Sequence, residues 1–326
     1  MNPIAKLLGR IGRSVLLAGI IGAQLSSAQN PTGDLGANRA TLNNNCLRRS
    51  IPLTVLQNPD NIVLQPAQLQ VRVENANASI VSLEQQSLSP RVILMLDTSG
   101  SMRSDLGPKW TNALLAAAMV LDAVPPDSPV ALVTFAEQAQ VSGFARREEI
   151  QQKLVSLETT KPAKRTAIYS AVELALKLLG QPQFGDAIFI VTDGGDDYGP
   201  DERRTAAEHL VARGVRAFAF VVRDPQGTPL YLQEQQAAQD FFNFVKQTGG
   251  VYINPPVSNT WVNSEQAREV VRELRRQIEN PYRLELQLSA APAKPTKLKI
   301  SSIAKLKLAY PERIEPCAVL PGADRP

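Results

Sequence analysis

Residues 92–96, Val-Ile-Leu-Met-Leu, form an unbroken apolar run that opens on β-branched residues. A strand with no polar alternation has to be covered on both faces. Helices on either side of a parallel sheet provide that cover. The run ends at once in Asp97, Thr98, Ser99, Gly100 and Ser101. In an open parallel sheet, the crevice beyond the carboxyl ends of the strands is where ligands bind.

The same design recurs downstream. Asp186 to Asp193 reads Asp-Ala-Ile-Phe-Ile-Val-Thr-Asp, a third apolar strand ending in an acid; Val130–Phe135 is the second and Val215–Val222 the fourth. A short last strand spans Val251–Ile253, and Gln140–Gly143 reads as an edge strand. Between them, helical periodicity covers Lys109–Val124, Arg146–Leu157, Ala167–Leu179, Glu202–Arg213, Gln233–Gln247 and Ser264–Asn280. Strands alternating with helices over residues 90–280 predict a doubly wound α/β domain with a mostly parallel, Rossmann-like sheet.

The flanks differ. Leu69–Val73 alternates apolar and polar before the domain, as do Tyr282–Leu288, Lys297–Ile300 and Lys305–Leu308 after it. Period two marks half-exposed strands. The N-terminal strands of 29–89, which follow a loose leader, are expected to pair with those of 281–326 as a small antiparallel β module. Its lysines protect open sheet edges. Without interleaved aromatic residues they do not make a nucleic-acid face.

Residues 1–28 read as an export signal. Lys6, Arg10 and Arg13 precede the apolar core Val15–Leu25, and Ser26-Ser27-Ala28 supplies the small residues before a cut. The core is short for a membrane span, so no membrane insertion is expected after cleavage. The formal charge of +4 falls largely in this segment, and no acid precedes Asp34. The mature chain is therefore nearly neutral, periplasmic or extracellular, with no electrostatic case for nucleic acid. Cys46 and Cys317, the two cysteines, lie near the ends of the mature chain. Two readings stay open for them, a disulfide suited to an oxidising compartment and two buried thiols.

Asp97, Ser99 and Ser101 offer only oxygen, which hard divalent ions prefer, and Gly100 lets alternate side chains converge. Asp97-Thr-Ser99-Gly-Ser101, followed by Thr166 and then by Val191-Thr-Asp193-Gly, resembles the von Willebrand factor A domain with its metal-ion-dependent adhesion site. The likeness covers about residues 90–280; the β-rich flanks resemble more weakly those of acidobacterial A-domain-related exported proteins. The resemblance implies that Ser99, Ser101 and Thr166 ligate Mg²⁺, with Mn²⁺ or Ca²⁺ as alternatives, while Asp97 and Asp193 act largely through water. It further implies a protein partner whose acidic residue completes the metal shell. Asp196 and Asp197 read simply as acids starting the next helix, where negative charge is favoured.

No catalytic constellation emerges. His209 is the single histidine and sits in a helical pattern, and no Gly-x-Ser-x-Gly elbow surrounds Ser101. The expectation is a non-catalytic, metal-dependent protein-binding module. The alternative is a structural or assembly subunit of an envelope complex in which the metal is incidental. Partner identity and oligomeric state stay open.

Overall fold

A computed structural model describes residues 46–56, 62–103, 108–157, 165–222, 231–253 and 264–317. The expected signal segment 1–28 and residues 29–45 of the leader lie outside the described residues.

In chain order, the first flank forms β1 (Arg48–Leu56), β2 (Leu69–Val73), β3 (Ala76–Asn77) and β4 (Ser79–Gln85). Next come β5 (Val92–Asp97), the single turn α1 (Gly100–Arg103), α2 (Pro108–Ala123), β6 (Val130–Phe135) and β7 (Ala139–Ala145). They are followed by α3 (Arg147–Ser156), α4 (Ile168–Leu179), β8 (Ala187–Thr192), α5 (Pro200–Ala212) and β9 (Arg216–Val221). The domain closes with α6 (Tyr231–Gln247), β10 (Tyr252–Ile253) and α7 (Glu265–Glu279). The second flank forms β11 (Tyr282–Gln287), β12 (Thr296–Ser302), β13 (Lys307–Ala309) and β14 (Arg313–Ile314).

A six-stranded sheet runs in the order β10-β9-β8-β5-β6-β7, and only β7 is antiparallel to its neighbour. The predicted α/β class holds. Every side chain from Val92 to Leu96 is wholly buried. Val92, Leu94 and Leu96 face a core built with α2, α3 and α7. Ile93 and Met95 face a second core built with α4, α5 and α6. Each such side chain contributes about 1.5–3 kcal/mol by leaving water, which is why the run carries no polar residue. Gly250 lets the chain pass directly against β9, since a Cβ there would lie 1.6 Å from the Ala217 carbonyl oxygen.

The flanks do pair, as two sheets rather than one. One has the order β13-β1-β11-β4 and the other β14-β12-β2-β3. Leu53, Val55, Leu284 and Leu286 from the first share a core with Val71, Leu298, Ile300 and Ile314 from the second. Lys297 and Lys299 are exposed between the buried Thr296, Leu298 and Ile300, so period two places them on the wet face. A disulfide joins Cys46 to Cys317, with Cα atoms 5.7 Å apart.

The α/β domain leaves this module after β4 and rejoins it at β11. Backbone hydrogen bonds from Gln86 N to Pro281 O and from Leu88 N to Glu279 O, both 2.9 Å, hold the two connections side by side. Arg216 fastens the layers together. Although it lies in what the sequence presents as an apolar strand, it is fully buried. Its Nη1 donates to Gln277 O at 2.8 Å and to Thr54 Oγ1 at 3.2 Å, and the guanidinium stands over the Phe218 ring. Burial pulls its pKa down to about 10, so it stays cationic at neutral pH.

Candidate functional site at the carboxyl end of the sheet

Three connections meet beyond the carboxyl ends of β5, β6 and β8. Thr98, just after β5, donates from both its amide and its Oγ1 to Phe135 O at the end of β6. Ala167 N donates to Ala136 O, which fixes the Thr166 segment at the same end. Asp193 follows β8, which pairs directly with β5.

Asp97 is fully buried. Its Oδ1 accepts from Ser99 N at 2.9 Å and its Oδ2 from Thr192 Oγ1 at 2.7 Å. Burial and then the charge of Asp193 push its pKa up to about 7, against the opposing effect of those hydrogen bonds. Ser99 Oγ lies 3.1 Å from Ser101 Oγ. Ser99 is buried and Ser101 exposed, so the polar line climbs from the core to solvent. Asp97, Ser99, Ser101 and Asp193 thus form one group. The Thr166 backbone bonds to Asp197, its amide to Oδ2 and its carbonyl to the amide, and among the described residues no hydrogen bond joins Thr166 to the other four.

Four participants escape the sequence reading. Lys109, at the start of α2, is 5% exposed, and its Nζ donates to Asp193 Oδ2 at 2.8 Å. Thr192 bridges β8 to Asp97. Asp196 and Asp197 do not begin the next helix: α5 starts at Pro200 and its first-turn acids are Asp201 and Glu202. Asp196 Oδ1 accepts from Ile168 N at 2.8 Å, and Asp197 Oδ2 from Thr166 N at 2.7 Å. They therefore strap the Thr166 segment to the Asp193 loop and satisfy amides at the start of α4 that have no partner within that helix. An acid pair a few positions beyond Asp193 carries no periodic signal that would reveal this.

His209 lies elsewhere, exposed on α5, with Nδ1 2.8 Å from Glu173 Oε1 on α4. Among the described residues no group of three or more His, Cys, Asp or Glu side chains could hold a metal. No helix among the described residues is long and apolar enough to cross a membrane.

Residues 92–195 match the family model of the von Willebrand factor type A domain. No curated protein sequence matches the chain. Among solved structures, the conserved hypothetical protein BatB from Bacteroides thetaiotaomicron is 21% identical, with a TM-score of 0.43, covering 58% of this chain and 98% of its own. A von Willebrand factor type A protein from Catenulispora acidiphila is 11% identical, with a TM-score of 0.45, over 76% of this chain and 73% of its own. Manganese-loaded TRAP protein from Plasmodium vivax is 13% identical, with a TM-score of 0.43, over 69% and 83%. The segment from β5 to the Asp193 loop, in a mostly parallel sheet with helices on both sides, is thus the part of this chain that is similar to a von Willebrand factor type A domain.

Proposed function

We propose that the chain is an exported protein-binding module whose contact with a partner depends on a divalent cation. Ser99, Ser101 and Thr166 would hold the ion by their hydroxyls, with Asp97 and Asp193 behind them. The observation that carries this reading is Asp97 itself: a fully buried carboxylate beside a second acid, with its pKa raised to about 7. Burying an acid in this way is costly unless positive charge arrives. The donor set is all oxygen and rich in neutral hydroxyls, which suits Mg²⁺ or Mn²⁺. When bound, the ion would supply uncompensated positive charge to an Asp or Glu of the partner. The chain's own residues set the geometry: Thr192 and the Ser99 amide orient Asp97, and Asp196 and Asp197 anchor the Thr166 segment.

Calorimetric titration with Mg²⁺ and Mn²⁺ tests the reading. Binding should be saturable and should weaken at least about tenfold in Asp97→Ala, by loss of a charge at the site. Unchanged binding would remove Asp97 from the site. Capture of envelope proteins should then be lost in EDTA.

One observation favours a second reading. Lys109 already neutralises Asp193 from within the fold. A site satisfied by its own lysine would serve a scaffold or assembly subunit in which any metal is incidental, and capture insensitive to EDTA would identify it.

A further inference from the structure

At the opposite, amino end of the sheet, a cavity of 470 Å³ opens between the α/β domain and the β module. Phe184 before β8 and Val211 from the end of α5 form its domain wall; Ile51, Pro52 and Ile314 form the module wall. Four arginines line it, Arg49, Arg213, Arg283 and Arg313, with Glu315 among them.

These arginines are not equivalent. Arg213 Nη1 is engaged with the Leu176 carbonyl of α4 at 3.2 Å. The guanidinium of Arg283 lies against the Phe184 ring, 4.2 Å from its centroid. Its Nε is sealed from solvent and has no acceptor among the described residues. Arg313 is exposed at the rim. Neither Arg283 nor Arg313 forms an ion pair within 4 Å with any described acid. Burial, and after it the charge of Glu208, raise the pKa of Glu315, while Arg313 opposes them. Among the described lining residues one acid thus stands against four guanidinium groups.

A planar guanidinium braced on a ring is suited to bidentate recognition of a carboxylate or phosphate. Apolar walls beside it are the usual companion of such a group in a small-molecule site, and the volume falls within the ordinary range for one. We propose that this cavity binds a small organic anion, with Arg283 and Arg313 on the carboxylate or phosphate group and Phe184, Val211 and Ile51 around an apolar body. The site draws on both layers, so an occupant would tie the module to the domain. It shares no residue with the carboxyl-end loops and does not depend on the metal reading.

Calorimetry and thermal melting on the mature chain test this with octanoate, octyl phosphate, octanol and inorganic phosphate. One or both amphiphilic anions should bind saturably, one per chain, and raise the melting temperature. Octanol and inorganic phosphate should bind at least about tenfold more weakly, since each lacks half of the recognition. Arg283→Gln should weaken anion binding at least about tenfold, while Asp97→Ala leaves it unchanged. If Arg283→Gln fails to fold by circular dichroism, Arg313→Gln decides the matter, with a loss of affinity expected in the same direction. The proposal is overturned if neither anion binds, if octanol binds as well as octanoate, or if the folded arginine variant binds as the parent does.

Discussion

The two ends of the central sheet carry opposite chemistry on one scaffold. Beyond the carboxyl ends, Asp97 and Asp193 are gathered with hydroxyls, and the Lys109 ammonium meets Asp193 from within the domain. At the amino end, guanidinium groups from β1, the end of α5, β11 and β14 face a cavity with one acid. The carboxyl-end groups come from loops of one domain and are bound to each other by hydrogen bonds. Those at the amino end come from segments far apart in sequence and meet only because the β module lies against the domain. An excess of one sign built inside a domain is stabilised locally. An excess assembled between layers depends on their docking.

The largest expected effect lies at the carboxyl end. Lys109→Met removes the ammonium and leaves Asp193 buried without its partner, which should cost about 3–5 kcal/mol in urea denaturation at neutral pH without divalent ions. Added Mg²⁺ should recover part of the loss under the metal reading. A smaller effect comes from Asp97. Its folded pKa of about 7 lies above its ordinary 3.8, so the folded state holds the proton more tightly than the unfolded chain. Its stabilising contribution is complete below the ordinary value and is lost as pH rises toward and through 7, by at most about 4 kcal/mol. Melting curves from pH 5 to 8 in EDTA should show this decline, and Asp97→Asn should flatten it.

Replacing both Cys46 and Cys317 by Ser should cost a little less, about 2–4 kcal/mol, by releasing a long closed loop in the unfolded chain. Because Cys317 lines the amino-end cavity, this double variant should also loosen anion binding there. Mg²⁺ affinity, measured by the same calorimetry, should stay put. A change in both would mean that the two ends are coupled through the sheet.

Much of the fold is legible because burial leaves a local trace. Val92–Leu96 and Ala187–Thr192 are apolar or nearly so because both faces are covered, and the lysines of β12 alternate because one face is wet. The candidate metal residues are legible for a related reason, since Asp97 and Asp193 each interrupt an apolar strand at its end. Lys109 leaves no such trace: at the head of an Ala-rich helix it looks like any solvated cation. Arg216 is harder still. It breaks an apolar strand, yet its reason is Thr54, 162 positions away, and the carbonyl of Gln277. The division of the flanks into two sheets is equally hidden, because alternation fixes which face is buried and not which strands share a ladder.

Gln85 pairs with Tyr282, so the α/β domain hangs from two adjacent strands like a very large hairpin loop. A pull on a tethered partner would load β4 and β11 at the same end and open their ladder rung by rung, as a zipper opens. The hydrogen bond from Arg216 across to Thr54 of β1 would add to the resistance against such a pull.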